Sequence, residues 1–541
     1  MIITKQDSVW IAHSHYEEKD ILKRAGFIWS FKDKVWWTTD PLVVSKVAKY
    51  VAPDHLKEVQ QLATEYQKSY QLSNARSIAK EFLGPNDSTK QYLPFQKAAI
   101  EFALLHPNTL IGDDPGTGKT IEAIGYINNK DNLEKILITC PSSALLWWKE
   151  TLAGWLIKPL TVDIASTKYI PTTNIVLLSH DVLRRSINEY AFKRWDLVIV
   201  DEAHKFKNYK AKRSKALYSL NSDYNLYLTG SPIVNRPIEL WPLLHRLDPK
   251  RWNNYFKYIK RYCNAHKDDW GHWVLTGASN LEELQKILRS TVMIRRLKSE
   301  VLPDLPPKFR QVIELPIEQA HRILAEEREE YEKQDQHLQA LRQAVEKAKV
   351  SDKKEDYLEA VRALKIAVRV AFNQMSKVRH KTSLAKLPAV IDHIKDVLET
   401  KSKLVVYAHH HDIIQFIKQE FPNSVILTGN ENYKQRAAAV EKFQTNTTCS
   451  IFIGSIQAAG ISISLTAADQ AIFAELDWSP GNITQAEDRL LRIGQHSNVL
   501  IQHLVLEGSL DAKMAKTLIE KQESINRALD KPEGDMILWP Q

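Results

Sequence analysis

Cysteine is scarce in this chain: Cys140, Cys263 and Cys449 are the only three in 541 residues. An odd number, widely spread, argues against a disulfide framework and a zinc site, and for a reducing compartment. No apolar run approaches bilayer-spanning length, so no membrane partner is expected. The opening Met1-Ile2-Ile3-Thr4-Lys5 lacks the charged, then apolar, then small-residue order of a signal peptide. Solenoid-length repeats and low-complexity tracts are missing too. Nor is charge strongly one-sided: a net +9 permits a polyanionic partner without requiring one.

What is present is an ordinary globular composition, 44% hydrophobic and 26% charged. At this length roughly two to four domains are expected. Residues 1–52 form an aromatic and basic unit, with Trp10, Trp29, Trp36 and Trp37 among Lys19, Lys23, Arg24, Lys32 and Lys34. Here 17–25 reads as a helix, 34–39 as a strand and 41–50 as a second helix. A polar helical linker follows over 53–86. Short β-branched runs then alternate with helical stretches, at 135–139, 174–178, 197–200 and 224–228. The alternation returns at 404–407, 425–427, 450–453, 471–474 and 499–504, and predicts two α/β layers with parallel sheets. Between them, 317–381 is rich in Glu, Lys, Gln, Ala and Leu and reads as long antiparallel helices with a solvated face.

Chemistry concentrates at three places. Leu110-Ile111 ends an apolar strand and leads through Gly112-Asp113-Asp114-Pro115-Gly116-Thr117-Gly118-Lys119-Thr120 into a helix over 121–127. Glycines let backbone N–H groups turn onto phosphate oxygens, and the helix N-terminus adds its positive dipole end. Lys119 would reach the β and γ phosphates of ATP, and the Thr120 hydroxyl would ligate Mg²⁺. The strict pattern wants glycine at 113, where Asp stands. Asp201-Glu202-Ala203-His204 follows the apolar run 197–200, so Asp201 would hold the metal and Glu202 would orient and deprotonate water. A capping pair at a strand–helix junction is the alternative. Gln96, at the start of a helix leading into the loop, has the donor and acceptor to read adenine. Finally, Gln485-Ala486-Glu487-Asp488-Arg489-Leu490-Leu491-Arg492-Ile493-Gly494-Gln495 carries Arg489 and Arg492 three apart, expected on one helical face. Guanidinium forks there suit charge developing on a transferring phosphoryl group.

These residues resemble the Swi/Snf-type branch of superfamily-two DNA motors from about 93 to 510. An acidic residue at 113 is characteristic of that branch. Lys205-Phe206-Lys207-Asn208 resembles its extended second motif. Met293-Ile294-Arg295-Arg296-Leu297-Lys298 through Leu305-Pro306-Pro307-Lys308 resembles its hinge region. The runs from Leu404 to His410 and from Phe473 to Gly481, with Trp478, resemble the annealing-helicase, fork-remodelling branch. The N-terminal unit is similar to the HARP domain, which binds branched DNA. The resemblance implies two RecA-like parallel-sheet lobes with helical insertions and a small α+β N-terminal domain. The divisions are 1–52, linker 53–86, lobe one 87–310 with a helical protrusion near 240–290, insertion 311–384, lobe two 385–509 and a bracing helix 510–541.

Site roles follow by the same resemblance. Asp114, Gly116, Thr117, Gly118 and Gln485 join the ATP site, and His204, Thr229 and Gly230 (in Leu228-Thr229-Gly230-Ser231-Pro232) couple hydrolysis to movement. DNA contact falls to Ser142, Ser143, Lys205, Lys207, Asn208, Lys212, Arg213 and Trp478, with Ser179 and His180 as weaker candidates. Trp36 and Trp37 would stack on unpaired bases, although tryptophans can equally form the core of so small a domain. Adjacent strand residues face opposite ways, so at least one of the two leaves that core. Two departures, Ser462 for the usual glycine and Leu491 for the usual histidine, touch the coupling motifs. The expected activity is ATP-driven translocation on double-stranded and branched DNA, by a monomer, with a single-strand-binding protein as a further partner. A strand-separating DNA or RNA helicase and a non-catalytic junction-binding protein are the rivals. No histone-reader or nuclease segment is read after Leu529, which disfavours a chromatin remodeller. The brevity of the chain suggests a cytoplasmic protein of bacterial or viral source, or a nuclear one if eukaryotic.

Overall fold

The computed structural model describes residues 1–515 except 7–8, 32, 231, 233–235, 268–272, 276, 316–320, 351–353, 457–462, 478–479 and 513–514. They divide into two compact units, one made of Met1–His266 with Trp273–Pro303, the other of Lys267 with the residues from Asp304 onward.

The first unit is built on a seven-stranded sheet. Its order is Met293–Ile294, Asn108–Ile111, Asn221–Leu228, Arg194–Val200, Ile136–Cys140, Ile175–Ser179 and Val162–Ile164. Every neighbouring pair is parallel. Successive side chains alternate between two apolar layers. Leu137, Val198, Val200 and Tyr227 enter one, while Ile138, Leu197, Ile199 and Leu228 enter the other. Burial on both faces is why these strands read as unbroken apolar runs. The second unit repeats the plan with six parallel strands: Lys308–Leu315, Val499–Leu506, Gln470–Phe473, Leu404–Ala408, Ile451–Ser455 and Val425–Leu427. The chain is therefore α/β with two parallel-sheet lobes.

A four-stranded antiparallel sheet opens the chain, in the order Ile2–Gln6, Val9–His13, Val35–Thr38, Ile28–Ser30, with the helix Lys19–Ala25. Trp10, Ala12 and Leu22 are its buried centre. The expected helix over 41–50 splits into Pro41–Ser45 and a single turn, Ala48–Tyr50. The Ser45 hydroxyl bonds the Leu42 carbonyl at 2.9 Å, a local competitor of helical pairing.

Three boundaries differ from the sequence reading. The linker over 53–86 is a helix only through Pro53–Asn74, and it is not a solvated spacer. Val59 packs into the N-terminal core while Leu72 packs into the large lobe. Ser73 Oγ donates to the Met293 carbonyl at 3.0 Å, and Ser69 meets His106 at 3.0 Å. The insertion was expected from 311, but Lys308–Leu315 crosses that point as a sheet strand paired along Val499–Leu506. The insertion's end at 384 lies inside the helix Lys354–Thr400, whose Leu387, Val390, Ile391 and Ile394 cover the second sheet. The bracing helix expected at 510–541 falls almost wholly outside the described residues. No helix among those described is long and apolar enough to cross a membrane.

Removing residues 1–52 would bare Val59 and its apolar neighbours Leu56 and Leu62. We expect a lower melting midpoint by scanning fluorimetry for a chain starting at residue 53. An unchanged midpoint would mean that the N-terminal unit is merely appended.

Candidate ATPase site

In an open parallel sheet, ligand sites gather at the carboxyl ends of the strands. Four of the predicted segments leave that end of the first sheet. The phosphate loop follows Asn108–Ile111, Ser142 and Ser143 follow Ile136–Cys140, Asp201-Glu202 follows Arg194–Val200, and Thr229-Gly230 follows Asn221–Leu228.

Gly118 caps the helix Lys119–Asn129 with φ of 89°, a left-handed conformation that favours glycine. A Cβ there would also lie 2.5 Å from the Gln96 side-chain nitrogen. Lys119 Nζ donates to the carbonyls of Asp113 (2.7 Å) and Asp114 (2.9 Å), so one of its three protons is free for a phosphate. Burial pulls its ammonium below the usual lysine range, against the attraction of Glu202, Asp113, Glu122 and Asp114. An anionic ligand would relieve that burial cost.

Asp201 Oδ2 accepts from Trp148 Nε1 at 3.0 Å, and its Oδ1 accepts from the Glu202 backbone N–H at 2.9 Å. Burial first, and the Glu202 charge second, push its carboxyl up to about 6. Glu202 moves the other way: burial opposes ionisation, but His204, Lys119 and Lys205 hold it down to about 2. Burial and mutual repulsion thus move the two carboxyls of the pair apart, Glu202 to the more acidic side and Asp201 to the less acidic one. Glu202 Oε2 is buried without a hydrogen-bond partner among the described residues. His204 Nδ1 lies 3.2 Å away, near enough for charge attraction. The same Nδ1 sits 3.0 Å from the Thr229 hydroxyl. A free acceptor next to a phosphate loop suits a water, and the Asp201 carboxylate with the Thr120 hydroxyl is an oxygen donor set of the kind Mg²⁺ takes.

Sequence reasoning missed the residues that hold this loop. Asp113 and Arg296 are both buried and paired: the Arg296 backbone N–H donates to Asp113 Oδ1 (2.8 Å), and Nε donates to Oδ2 (3.0 Å). Arg296 also donates to the Phe95 carbonyl and lies 3.3 Å from Glu122, whose carboxyl burial pushes well up. Beside it, Arg295 donates to the Gly112 carbonyl at 2.6 Å, and the Lys298 N–H donates to Asp114 Oδ2 at 3.0 Å. Two adjacent arginines ending an apolar strand were the available signal, since buried guanidinium groups need carboxylates.

Other assignments change. Gln96 is buried, its Oε1 accepting from the Leu93 N–H (3.0 Å) and its Nε2 donating to the Thr117 carbonyl (2.9 Å). These two bonds brace the loop. The helix Pro480–Glu487 stops before Arg489 and Arg492, which stand in the following turns and not on one helical face. Arg489 is buried and donates from Nε to the Gln485 carbonyl at 3.0 Å. Glu487 in turn is bound by Lys308 (3.0 Å) and by Arg310 Nε (2.8 Å), which hold it well below the carboxylate range despite its burial. Leu491 is buried in that unit's core.

Of the DNA candidates, Ser142, Asn208, Lys212 and Arg213 are exposed, Ser143 and Lys205 are half-buried, and Lys207 is engaged by Glu239 at 2.9 Å. Ser179 caps the helix His180–Arg185, and His180 is buried against Thr139 at 2.9 Å, so neither is presented to a backbone. Trp36 and Ala12 pair on the core face of the N-terminal sheet, and Trp37 pairs with Ile11 on the opposite face. Ser231, Ser462 and Trp478 lie outside the described residues.

The SNF2-related domain model matches residues 27–376, and the helicase conserved C-terminal domain model matches 385–494. The DNA annealing helicase and endonuclease ZRANB3 of Mus musculus is 34% identical over 468 residues, covering 82% of this chain and 41% of that protein. Its Homo sapiens counterpart is 34% identical over 500 residues, covering 86% and 44%. The SWI/SNF-related matrix-associated actin-dependent regulator of chromatin subfamily A-like protein 1 of Xenopus tropicalis is 32% identical over 448 residues, covering 81% and 45%. The chain thus spans less than half the length of these relatives. All three are animal proteins, and the bacterial or viral source expected from brevity finds no support in them.

Arg296→Ala leaves Asp113 buried without its counter-charge, and we expect a loss of about 3–5 kcal/mol in the first unit. Urea unfolding followed by tryptophan fluorescence measures it, and a loss below about 1 kcal/mol would place the pair among weakly contributing surface bridges.

Proposed function

The chain belongs to the SNF2-related family, and from that membership we propose that it is an ATP-driven translocase on double-stranded DNA that anneals or remodels branched DNA. The observation that carries the proposal is the set Lys119, Asp201 and Glu202 at the carboxyl end of one sheet, with His204 joined to Thr229. An ionised Glu202 with a free acceptor oxygen is equipped to orient and deprotonate an attacking water. Lys119 would neutralise the β and γ phosphates, and Thr120 with Asp201 would hold Mg²⁺. When bound, that ion screens phosphate charge and orients the nucleotide.

Arg489 and Arg492 would supply charge to the phosphoryl group during turnover, an effect that can be worth about 10³–10⁵ in rate. Exposed Asn208, Lys212 and Arg213, with Ser142, would hold the DNA backbone, which carries no sequence information and so suits a stepping motor. The N-terminal unit would choose branched over plain duplex DNA. A single-strand-binding protein is the partner against which annealing would work, and one copy of the chain would suffice.

ATP hydrolysis should rise on adding duplex DNA and rise further on forked DNA. Glu202→Gln should abolish turnover while sparing nucleotide affinity, and Arg492→Ala should lower turnover far more than affinity. Absence of DNA stimulation in the intact chain would reject the reading. Reannealing of coated single strands, set against strand displacement, separates an annealing motor from an unwinding one.

A further inference from the structure

The helix Tyr255–Tyr262 buries Tyr258, Ile259 and Tyr262 and turns Phe256, Lys257 and Lys260 outward. Phe256 is 52% exposed. Its ring lies 5.6 Å from that of Trp273, and Lys260 Nζ stands 5.4 Å over Trp273. On the other side, Lys257 Nζ stands 5.8 Å over Trp37, on the outer face of the N-terminal sheet. The result is one row, Trp37, Lys257, Phe256, Trp273 and Lys260, of three rings and two cations.

The cations of this region fall into two kinds. Arg251 is held by Asp248 at 3.3 Å and Arg261 by Glu283 at 3.1 Å. Lys257 and Lys260 have no carboxylate ion partner among the described residues. Both are exposed, so their charge is available to phosphate. Rings interleaved with such lysines add stacking faces, and stacking needs a base that is not already paired. A duplex offers phosphates but no free base face, and an acidic protein surface would make no use of the rings.

We propose that this row binds single-stranded DNA, and that it is the place where an unpaired arm of a branched substrate lies. The site is composite: Trp37 comes from the N-terminal unit, and the rest from the protrusion of the lobe that carries the ATP site. The helix Pro53–Asn74, packed into both, fixes their separation. Fork preference would then be a property of the two together and not of the N-terminal unit alone. The proposal rests on the translocase reading for its physiological meaning, but not for its test.

The test uses the full chain without nucleotide and a fluorescent oligo(dT). Lys257→Glu with Lys260→Glu should weaken oligo(dT) binding at least about tenfold, and the alanine pair should make the salt slope shallower by about 1.4, two phosphate contacts' worth. Phe256→Ala should weaken it about tenfold with an unchanged salt slope. Melting midpoints of the variants should match the parent, because all three side chains point outward. Stimulation of ATPase by blunt duplex should be unchanged, while the extra stimulation by a fork with a single-stranded arm should be lost. Undiminished oligo(dT) affinity in the double glutamate variant would overturn the site. A parent protein that binds oligo(dT) through these residues but shows no duplex-stimulated hydrolysis would instead overturn the translocase reading.

Discussion

The phosphate loop depends on one buried ion pair. Asp113 stands where a plain phosphate loop has glycine, and its carboxylate is enclosed with the Arg296 guanidinium in the first lobe. An isolated charge at that depth would be untenable, so each partner fixes the other. Arg296 does more than balance charge. Its donors reach Asp113, the Phe95 carbonyl and Glu122, and it lies over the Phe95 ring at 5.2 Å. Glu122, whose carboxyl burial pushes well up, supplies a further acceptor. One side chain thereby ties the strand Met293–Ile294, the helix Pro94–Leu105 and both ends of the loop into a single body, and Gln96 closes it from the same helix.

A comparable grip stands in the second unit. Glu487 ends the helix that precedes Arg489 and Arg492, and it is bound by Lys308 and Arg310 of the edge strand. Asp488 takes a second contact from Lys308 at 3.2 Å. The stretch of chain from 293 to 310 therefore carries two basic pairs, Arg295-Arg296 and Lys308 with Arg310. Each meets an acidic pair next to residues assigned to ATP, Asp113-Asp114 within one unit and Glu487-Asp488 within the other. Within each unit these contacts hold the basic pair beside the motif.

Much of this fold was legible because parallel strands buried on both faces leave unbroken apolar runs, and Ile136–Cys140 or Leu404–Ala408 can be read as such. Lys308–Leu315 was not legible. Its sequence, Lys-Phe-Arg-Gln-Val-Ile-Glu-Leu, is an edge strand with one exposed side and reads as polar chain. The glycines and lysine of the phosphate loop advertised themselves, as did the paired carboxylates after an apolar strand. The bracing role of Gln96 was not legible, because an amide's capacity to pair says nothing about whether the backbone takes it. Arg296 was overlooked for a related reason. Its partner lies 183 positions away, and only its place at the end of a buried strand hinted that a carboxylate must come to meet it. The helical face proposed for Arg489 and Arg492 failed because periodicity continues past a helix end when the following turns keep a compact spacing.

The path from Glu202, the carboxylate proposed to activate water, back to the phosphate loop is short. Glu202 is held at φ of 50°, a left-handed conformation that is unfavourable for a residue with a Cβ. The Asp201 carboxylate fixes its N–H, and the electrostatic field of His204 and Lys119 fixes its charge. His204 then meets the Thr229 hydroxyl, and the next residue, Gly230, lies against the loop: a Cβ there would fall 2.6 Å from Pro115 Cγ and 3.1 Å from the Pro115 backbone nitrogen. Backbone cannot give way as a flexible side chain can, so this contact admits no methyl group. The circuit Glu202, His204, Thr229, Gly230, Pro115 closes on the loop that also holds Lys119. Steric closure at Gly230 thus joins the turn at 229–230 to the phosphate loop.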